Sequence, residues 1–247
     1  MMLAAMTARF FKVLFIAGLL ATPASADTLP LPQDLVGLDS PAGEEMLIGA
    51  EARAAYWPLT MQFVTQKTQA YCGVASMVMV VNALGVPAPE TPEIQPFRTF
   101  TQDNILTERT DAILPRDVLA RKGMTLDQLG ALLRSYDVPT EVRHASDTSV
   151  DSFRHLARRS LSEKGRFVLV NYLRRTIGQE TGGHISPLAA YDADTDRFLI
   201  LDVSRYKYPP VWVGTEALFA AMNTPDADND NRSRGFVLVG AGAATQP

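Results

Sequence analysis

Hydrophobic and polar positions change rhythm near Gly165, and the change separates two kinds of predicted element. Before it the spacing is mostly helical. Leu47, Ala50, Ala54 and Trp57 fall near one face of a helix predicted over 44–57. From Cys72 to Leu84 small and apolar residues run unbroken to Gly85, a buried helix with a glycine stop. Met61 to Ala70, just before it, is mixed in character and loop-like. Pro87, Pro89, Pro92 and Pro96 then break the chain. Thr125-Leu126-Asp127-Gln128 fits a capping box ahead of Leu129, Leu132, Leu133 and Tyr136. A further helix is predicted from Val150 to Glu163.

After Gly165 short apolar runs read as strands: Phe167 to Tyr172, Ile185 to Tyr191, and Phe198 to Val203. The last two are joined by the hairpin loop Asp192 to Asp196. Thr215 to Met222 is a short helix and Phe236 to Val239 a final strand. Asp226 to Asn231 is a polar loop whose alternating acids lack the glycine and terminal glutamate of a calcium loop. Helices first and antiparallel strands after give an α+β class. A helical lobe over about 44–165 packs on a sheet lobe over about 166–240.

The first stretch stands apart. Arg9 and Lys12 precede an apolar run from Val13 to Ala21, and Ala24-Ser25-Ala26 follows. This is the build of a cleavable signal peptide over 1–26, and the run is short for a bilayer span. The other reading is an uncleaved anchor. Cleavage places the mature chain, 27–247, in the periplasm or outside the cell, with no membrane attachment. Losing the two leader cations takes the formal charge from −4 to −6, which argues against a nucleic-acid partner.

The chain has one cysteine, Cys72, which cannot form an internal bridge. Such a thiol is buried and inert, paired with another chain, or reactive. Its surroundings favour the last. Cys72 opens the predicted helix, where the dipole lowers a thiol pKa. Gln66, six residues upstream, can reach back as an oxyanion donor beside the Cys72 amide. Of three histidines, His144 and His155 read as surface residues. His184 follows the glycine pair Gly182-Gly183 into a strand, and Asp202 ends the neighbouring strand as the orienting carboxylate. A lone Cys, Gly-Gly-His or strand-end Asp is ordinary. Gln66, Cys72, His184 and Asp202 in this order, on these elements, follow the papain-like arrangement.

The residues also resemble a known family. Gln69-Ala70-Tyr71-Cys72-Gly73-Val74-Ala75-Ser76 resembles the nucleophile segment of phytochelatin synthases. Gly183-His184-Ile185-Ser186-Pro187 is similar to their histidine motif, and the stretch from Leu199 to Val213 to their aspartate motif. The similarity runs from about Leu31 to Gly240. It implies a glutathione γ-glutamylcysteinyltransferase that cuts the Cys–Gly bond, releases glycine and holds γ-glutamylcysteine as a thioester. Water or a second glutathione then takes the acyl group. Cys72, His184 and Asp202 carry over as the triad and Gln66 as the oxyanion donor. The chain ends soon after Gly240 without the Cys-rich C-terminal domain of plant members. That resembles the short bacterial type, in which hydrolysis and deglycination dominate.

Glutathione carries two carboxylates, which Arg receives well through its fork. Arg234 is the candidate for the γ-glutamyl carboxylate, with a solvated surface charge as the other reading. Asn171 is placed to bond the acyl-side backbone; Arg205 and Lys207 are placed for an acceptor glutathione. Tyr208 joins the substrate-binding set, with loop stiffening alongside Pro209, Pro210 and Trp212 as its other role. Arg174 and Arg175 read as surface residues. No resident cofactor is required; cadmium or zinc enters as a glutathione thiolate complex. The partners expected are glutathione and metal–glutathione complexes, and a homodimer is allowed. Two rivals stand: a leader-peptidase-like protease of the same fold, and a periplasmic thiol- or metal-binding protein without turnover.

Overall fold

Seven strands form one sheet in a computed structural model that describes residues 28–240. The leader expected over 1–26 lies outside the described residues. The strands are β1 (Val36–Gly37), β2 (Thr140–His144), β3 (Arg166–Leu173), β4 (Gly183–Asp192), β5 (Arg197–Ile200), β6 (Val211–Gly214) and β7 (Gly235–Gly240). All pairs are antiparallel, in the order β1-β6-β5-β4-β3-β7-β2. The central strands β3 and β4 are buried at nearly every position. Burial without alternation means that both faces are covered, which is why these strands read as continuous apolar runs.

The helices are α1 (Pro41–Gly49), α2 (Tyr56–Met61), α3 (Cys72–Ala83), α4 (Glu108–Asp111), α5 (Arg116–Lys122), α6 (Leu126–Arg134), α7 (Val150–Ser162) and α8 (Thr215–Met222). Helices and one antiparallel sheet make the fold α+β, in keeping with a papain-like arrangement. Every residue of α3 from Cys72 to Val81 is buried, so this helix has no polar face. Gly73 permits the closest approach: a Cβ there would sit 2.4 Å from Met124 Sδ. Ser76 Oγ ties α3 to β4, reaching the Cys72 carbonyl at 2.8 Å and the Ile185 carbonyl at 3.2 Å. On α7, Phe153 packs against Phe198, Phe236 and Phe219, which joins the helices α7 and α8 to the sheet.

The capping box forms as the sequence predicts. Gln128 N–H donates to Thr125 Oγ1 at 3.2 Å, and Thr125 N–H donates back to Gln128 Oε1 at 2.9 Å. Two features differ from expectation. The helix predicted over 44–57 is two helices, α1 and α2, and Trp57 is 65% exposed. Ala50 leaves helical geometry with ψ 127°, and Arg53 Nη1 crosses back to the carbonyls of Leu47, Ile48 and Ala50. A cation on the open C-terminal carbonyls closes α1 there. Second, the sheet is not confined to the second half of the chain. β2, from the helical half, pairs with β7 along its length at the sheet edge. Its half-exposed residues leave too little apolar pattern to read.

Candidate active site

Cys72 is the first residue of α3, and the first N–H groups of a helix have no partner within it. His184 is the second residue of β4, directly opposite Tyr172 on β3. The turn before it needs Gly182, whose φ is +90°. Asp202 lies two residues past the end of β5, not within the strand as expected. Three separate elements thus converge.

Nε2 of His184 lies 2.9 Å from Asp202 Oδ1 and 2.9 Å from Ser186 Oγ. That occupies one ring nitrogen and leaves Nδ1 for the sulfur of Cys72. Tyr172 packs edge-on against the imidazole, with centroids 5.7 Å apart, and fixes its plane. Burial raises the Cys72 thiol, but the hydrogen bond to His184, its charge and the Ile185 and Gly73 amides bring it below the usual cysteine value. Burial lowers the His184 imidazolium, and Asp202 more than reverses this, so His184 is raised above its usual value. The two shifts together favour a thiolate–imidazolium pair.

Asp202 is fully buried. A lone carboxylate there would be costly, and this one is paired. Oδ1 accepts from Ser204 N–H at 2.8 Å and Arg174 Nη2 at 2.8 Å, in addition to His184. Oδ2 sits 2.8 Å from Arg174 Nη1, off the line of the N–H bonds, so that contact is an ion pair without a directed hydrogen bond. Burial pushes the acid up; His184 and Arg174 together hold it well below the usual carboxylate range. Arg174 therefore corrects the surface reading: it is 2% exposed and ion-paired to Asp202. His144 corrects it likewise at 3% exposed. His155 is exposed as expected.

Cys72 and His184 form one wall of a cavity of about 250 Å³. Gln69, Ala70, Lys122, Met124 and Gln128 line it from the first half of the chain. Asn171, Gly183, Asp226, Asp228 and Arg234 line it from the second. The expected contacts Asn171 and Arg234 are thus beside the thiol. Arg234 is held by Thr224 Oγ1 and the Pro225 carbonyl, with Nη2 3.4 Å from Asp226 Oδ1. Its Nε is buried without a partner. Asp226, expected in a polar loop, is instead the partner of a buried cation beside the cavity.

Besides Asp202, which stands behind His184, four expected site residues do not line the cavity. Gln66 is buried beside the Asp202 turn, where Nε2 donates to Thr68 O at 2.7 Å and Tyr206 Oη at 3.0 Å. Its Oε1 accepts from Ser204 Oγ at 2.7 Å. Arg205 lies over the Phe63 ring, 4.8 Å from its centroid, and Lys207 is half-buried. Tyr208 is 2% exposed, which corrects its substrate-contact reading. Its hydroxyl accepts from Glu180 N–H, and Arg174 lies 5.3 Å from its ring centroid. Both Tyr208 and Trp212 are spent on packing, as their other reading expected, but Trp212 does so from strand β6 and not from a loop.

A thiol at a helix start, an imidazole against it and a buried carboxylate behind, on this α+β frame, define a cysteine–histidine–aspartate protein of papain-like build. Comparison with known proteins narrows the class. The chain belongs to the phytochelatin synthase family, whose model matches residues 26–236. It is 32% identical over 214 residues to glutathione gamma-glutamylcysteinyltransferase 1 of Lotus japonicus, covering 85% of this chain and 41% of the relative. The Arabidopsis thaliana protein of the same name is 32% identical over 217 residues, covering 86% of this chain and 43% of the relative. The Schizosaccharomyces pombe glutathione gamma-glutamylcysteinyltransferase is 28% identical over 212 residues, covering 85% of this chain and 50% of the relative. The chain thus spans half the length or less of these curated relatives.

Proposed function

We propose that this chain is a glutathione γ-glutamylcysteinyltransferase and deglycinase that works through a Cys72 thioester. The observation that carries the reading is the placement of Cys72, His184 and Arg234 on one cavity. The thiolate attacks the cysteinyl carbonyl of glutathione, and its sulfur–carbon bond replaces the bond to glycine nitrogen. The Cys72 amide and Gln66 Nε2 receive the oxyanion, the latter once Tyr206 gives way. His184 passes its proton to the departing glycine amine. Water then yields γ-glutamylcysteine, or the amine of a second glutathione yields a short phytochelatin. In both cases His184 takes the proton of the entering group.

The far wall supports the substrate class. Arg234 and Asp226 side by side offer a cation for the α-carboxylate and an anion for the α-ammonium of the γ-glutamyl head. Asn171 bonds the acyl-side backbone. Cadmium or zinc arrives on the glutathione thiol, as part of the substrate. Export to the periplasm or out of the cell belongs to the same proposal, with cleavage after Ala26, and a mature mass beginning at Asp27 tests it. For the activity, the protein is incubated with glutathione, with and without cadmium, and products are weighed by mass spectrometry. Glycine and γ-glutamylcysteine are expected, and Cys72→Ser is expected to release none. Release at the wild-type rate by that variant overturns the assignment.

A further inference from the structure

Arg174 lies behind Asp202, outside the cavity, and cannot touch a substrate there. We propose that it is a positioning residue: its guanidinium clamps the Asp202 carboxylate with one oxygen toward His184, and offsets part of the carboxylate's charge at the imidazole. This rests on the reading of Cys72 and His184 as the reacting pair.

The geometry is that of a built clamp. Both guanidinium Nη atoms are 2.8 Å from a carboxylate oxygen. Gln179 Oε1 takes an Nη1 hydrogen and fixes the fork from the other side. Tyr208 and Tyr172 flank it, with ring centroids 5.3 Å and 6.0 Å away. The Arg174 amide donates to Gly182 O at 3.0 Å, which couples the clamp to the turn that sets His184. A planar, rigid fork fixes a carboxylate's rotation, which a lysine cannot do.

The charge has a second consequence. The titratable groups facing this centre are Cys72 from α3, Tyr172 from β3, His184 from β4, and Asp202 and Tyr208 after β5. Removing a buried cation lets each neighbour keep its proton to higher pH. Both limbs of the pH profile should therefore move upward together. A merely structural residue would reduce the folded fraction without moving them.

Cys72 is the chain's only cysteine, so its alkylation by iodoacetamide reports thiolate formation without any substrate. The pH midpoint of that reaction is measured beside glycine release for the wild type and three variants. Arg174→Met is expected to raise the midpoint by about one pH unit and to slow release at least about tenfold. Arg174→Lys is expected to hold the midpoint while release still falls, because charge stays and orientation goes. The double variant Arg174→Gln/Asp202→Asn is expected to return the midpoint toward wild type and to melt higher than Asp202→Asn alone. An unmoved midpoint in folded Arg174→Met overturns the proposal. Where Arg174→Met fails to fold, a double variant melting below Asp202→Asn overturns it. Expected midpoints with no glycine release by the wild type would sink the substrate reading and leave the clamp standing.

Discussion

The chain buries two histidines beside carboxylates, and they are built for different ends. Nδ1 of His144 meets the Ser233 carbonyl, and Nε2 lies 3.1 Å from Asp127 Oδ1. Both ring nitrogens are closed by protein, and nothing is left to react. His184 closes Nε2 on Asp202 and Ser186 and turns its other nitrogen to a thiol on a cavity wall. The acids differ as well: the Asp202 side chain is 0% exposed, that of Asp127 39%. A half-exposed acid needs little compensation, whereas a fully buried one requires an arginine behind it. Burial beside an acid therefore does not mark a working histidine. A ring nitrogen left one bond short does, provided that the other is fixed.

Breaking the fixed side should have the largest effect. Asp202→Asn leaves Arg174 buried without its anion and lets the His184 ring choose its tautomer. Glycine release should fall about 10²- to 10⁴-fold, chiefly in kcat. Stability should fall by about 3 to 5 kcal/mol at neutral pH, the usual loss when one partner of a buried ion pair is removed. The sign with pH follows from the lowered Asp202 value. A depressed acid stabilises the fold above its unfolded value, and that contribution fades as pH falls toward the folded one. The stability gap between variant and wild type should therefore shrink below about pH 4. Denaturant titrations at several pH values read this, and a gap that widens in acid would contradict the ion-pair account.

The matching change at the other histidine should separate stability from chemistry. His144→Leu strands the Ser233 carbonyl and frees Asp127, at a cost of about 1 to 3 kcal/mol. Ser233 precedes Arg234, so the cavity wall loosens and KM for glutathione should rise a few-fold. The value of kcat should stay within about twofold, because no reacting atom is touched. A collapse of kcat in folded His144→Leu would mean that the two histidines are not distinct in kind.

Much of this site can be read from the chain because its members sit at abrupt changes of pattern. Cys72 opens an apolar run, His184 follows paired glycines, and Asp202 closes a run of apolar residues. Each is a polar group where the local pattern asks for an apolar one or a turn. Arg174 gives no such sign. It stands next to Arg175, and its partner lies 28 residues on. Only the pairing of β3 with β4 and the chain's return after β5 bring the two together. His144 is hidden for the same reason: its carbonyl partner is 89 residues away. The fold shows the same division. α3 and α8 carry their own apolar runs and start where the sequence predicts. β2 is an edge strand with two of its five residues exposed, and β6 is a four-residue strand directly after a proline pair. Strands of that kind are fixed by neighbours, not by their own residues.

Gln66 offers the finest test of the one-bond-short rule. Its Nε2 hydrogens are both engaged, one by the Thr68 carbonyl and one by the hydroxyl of Tyr206, a residue 47% exposed. A half-exposed hydroxyl is a weak partner that water can replace, so this closure is provisional in a way that His144's is not. Tyr206→Phe removes it and leaves the amide hydrogen free for an oxyanion. Single-turnover acylation should quicken by no more than about fivefold, corresponding to about 1 kcal/mol or less, with KM unchanged. If acylation instead slows tenfold or more, the hydroxyl itself handles substrate. Gln66 would then be a fully closed residue of the His144 kind, and the Cys72 amide would be left to hold the oxyanion without it.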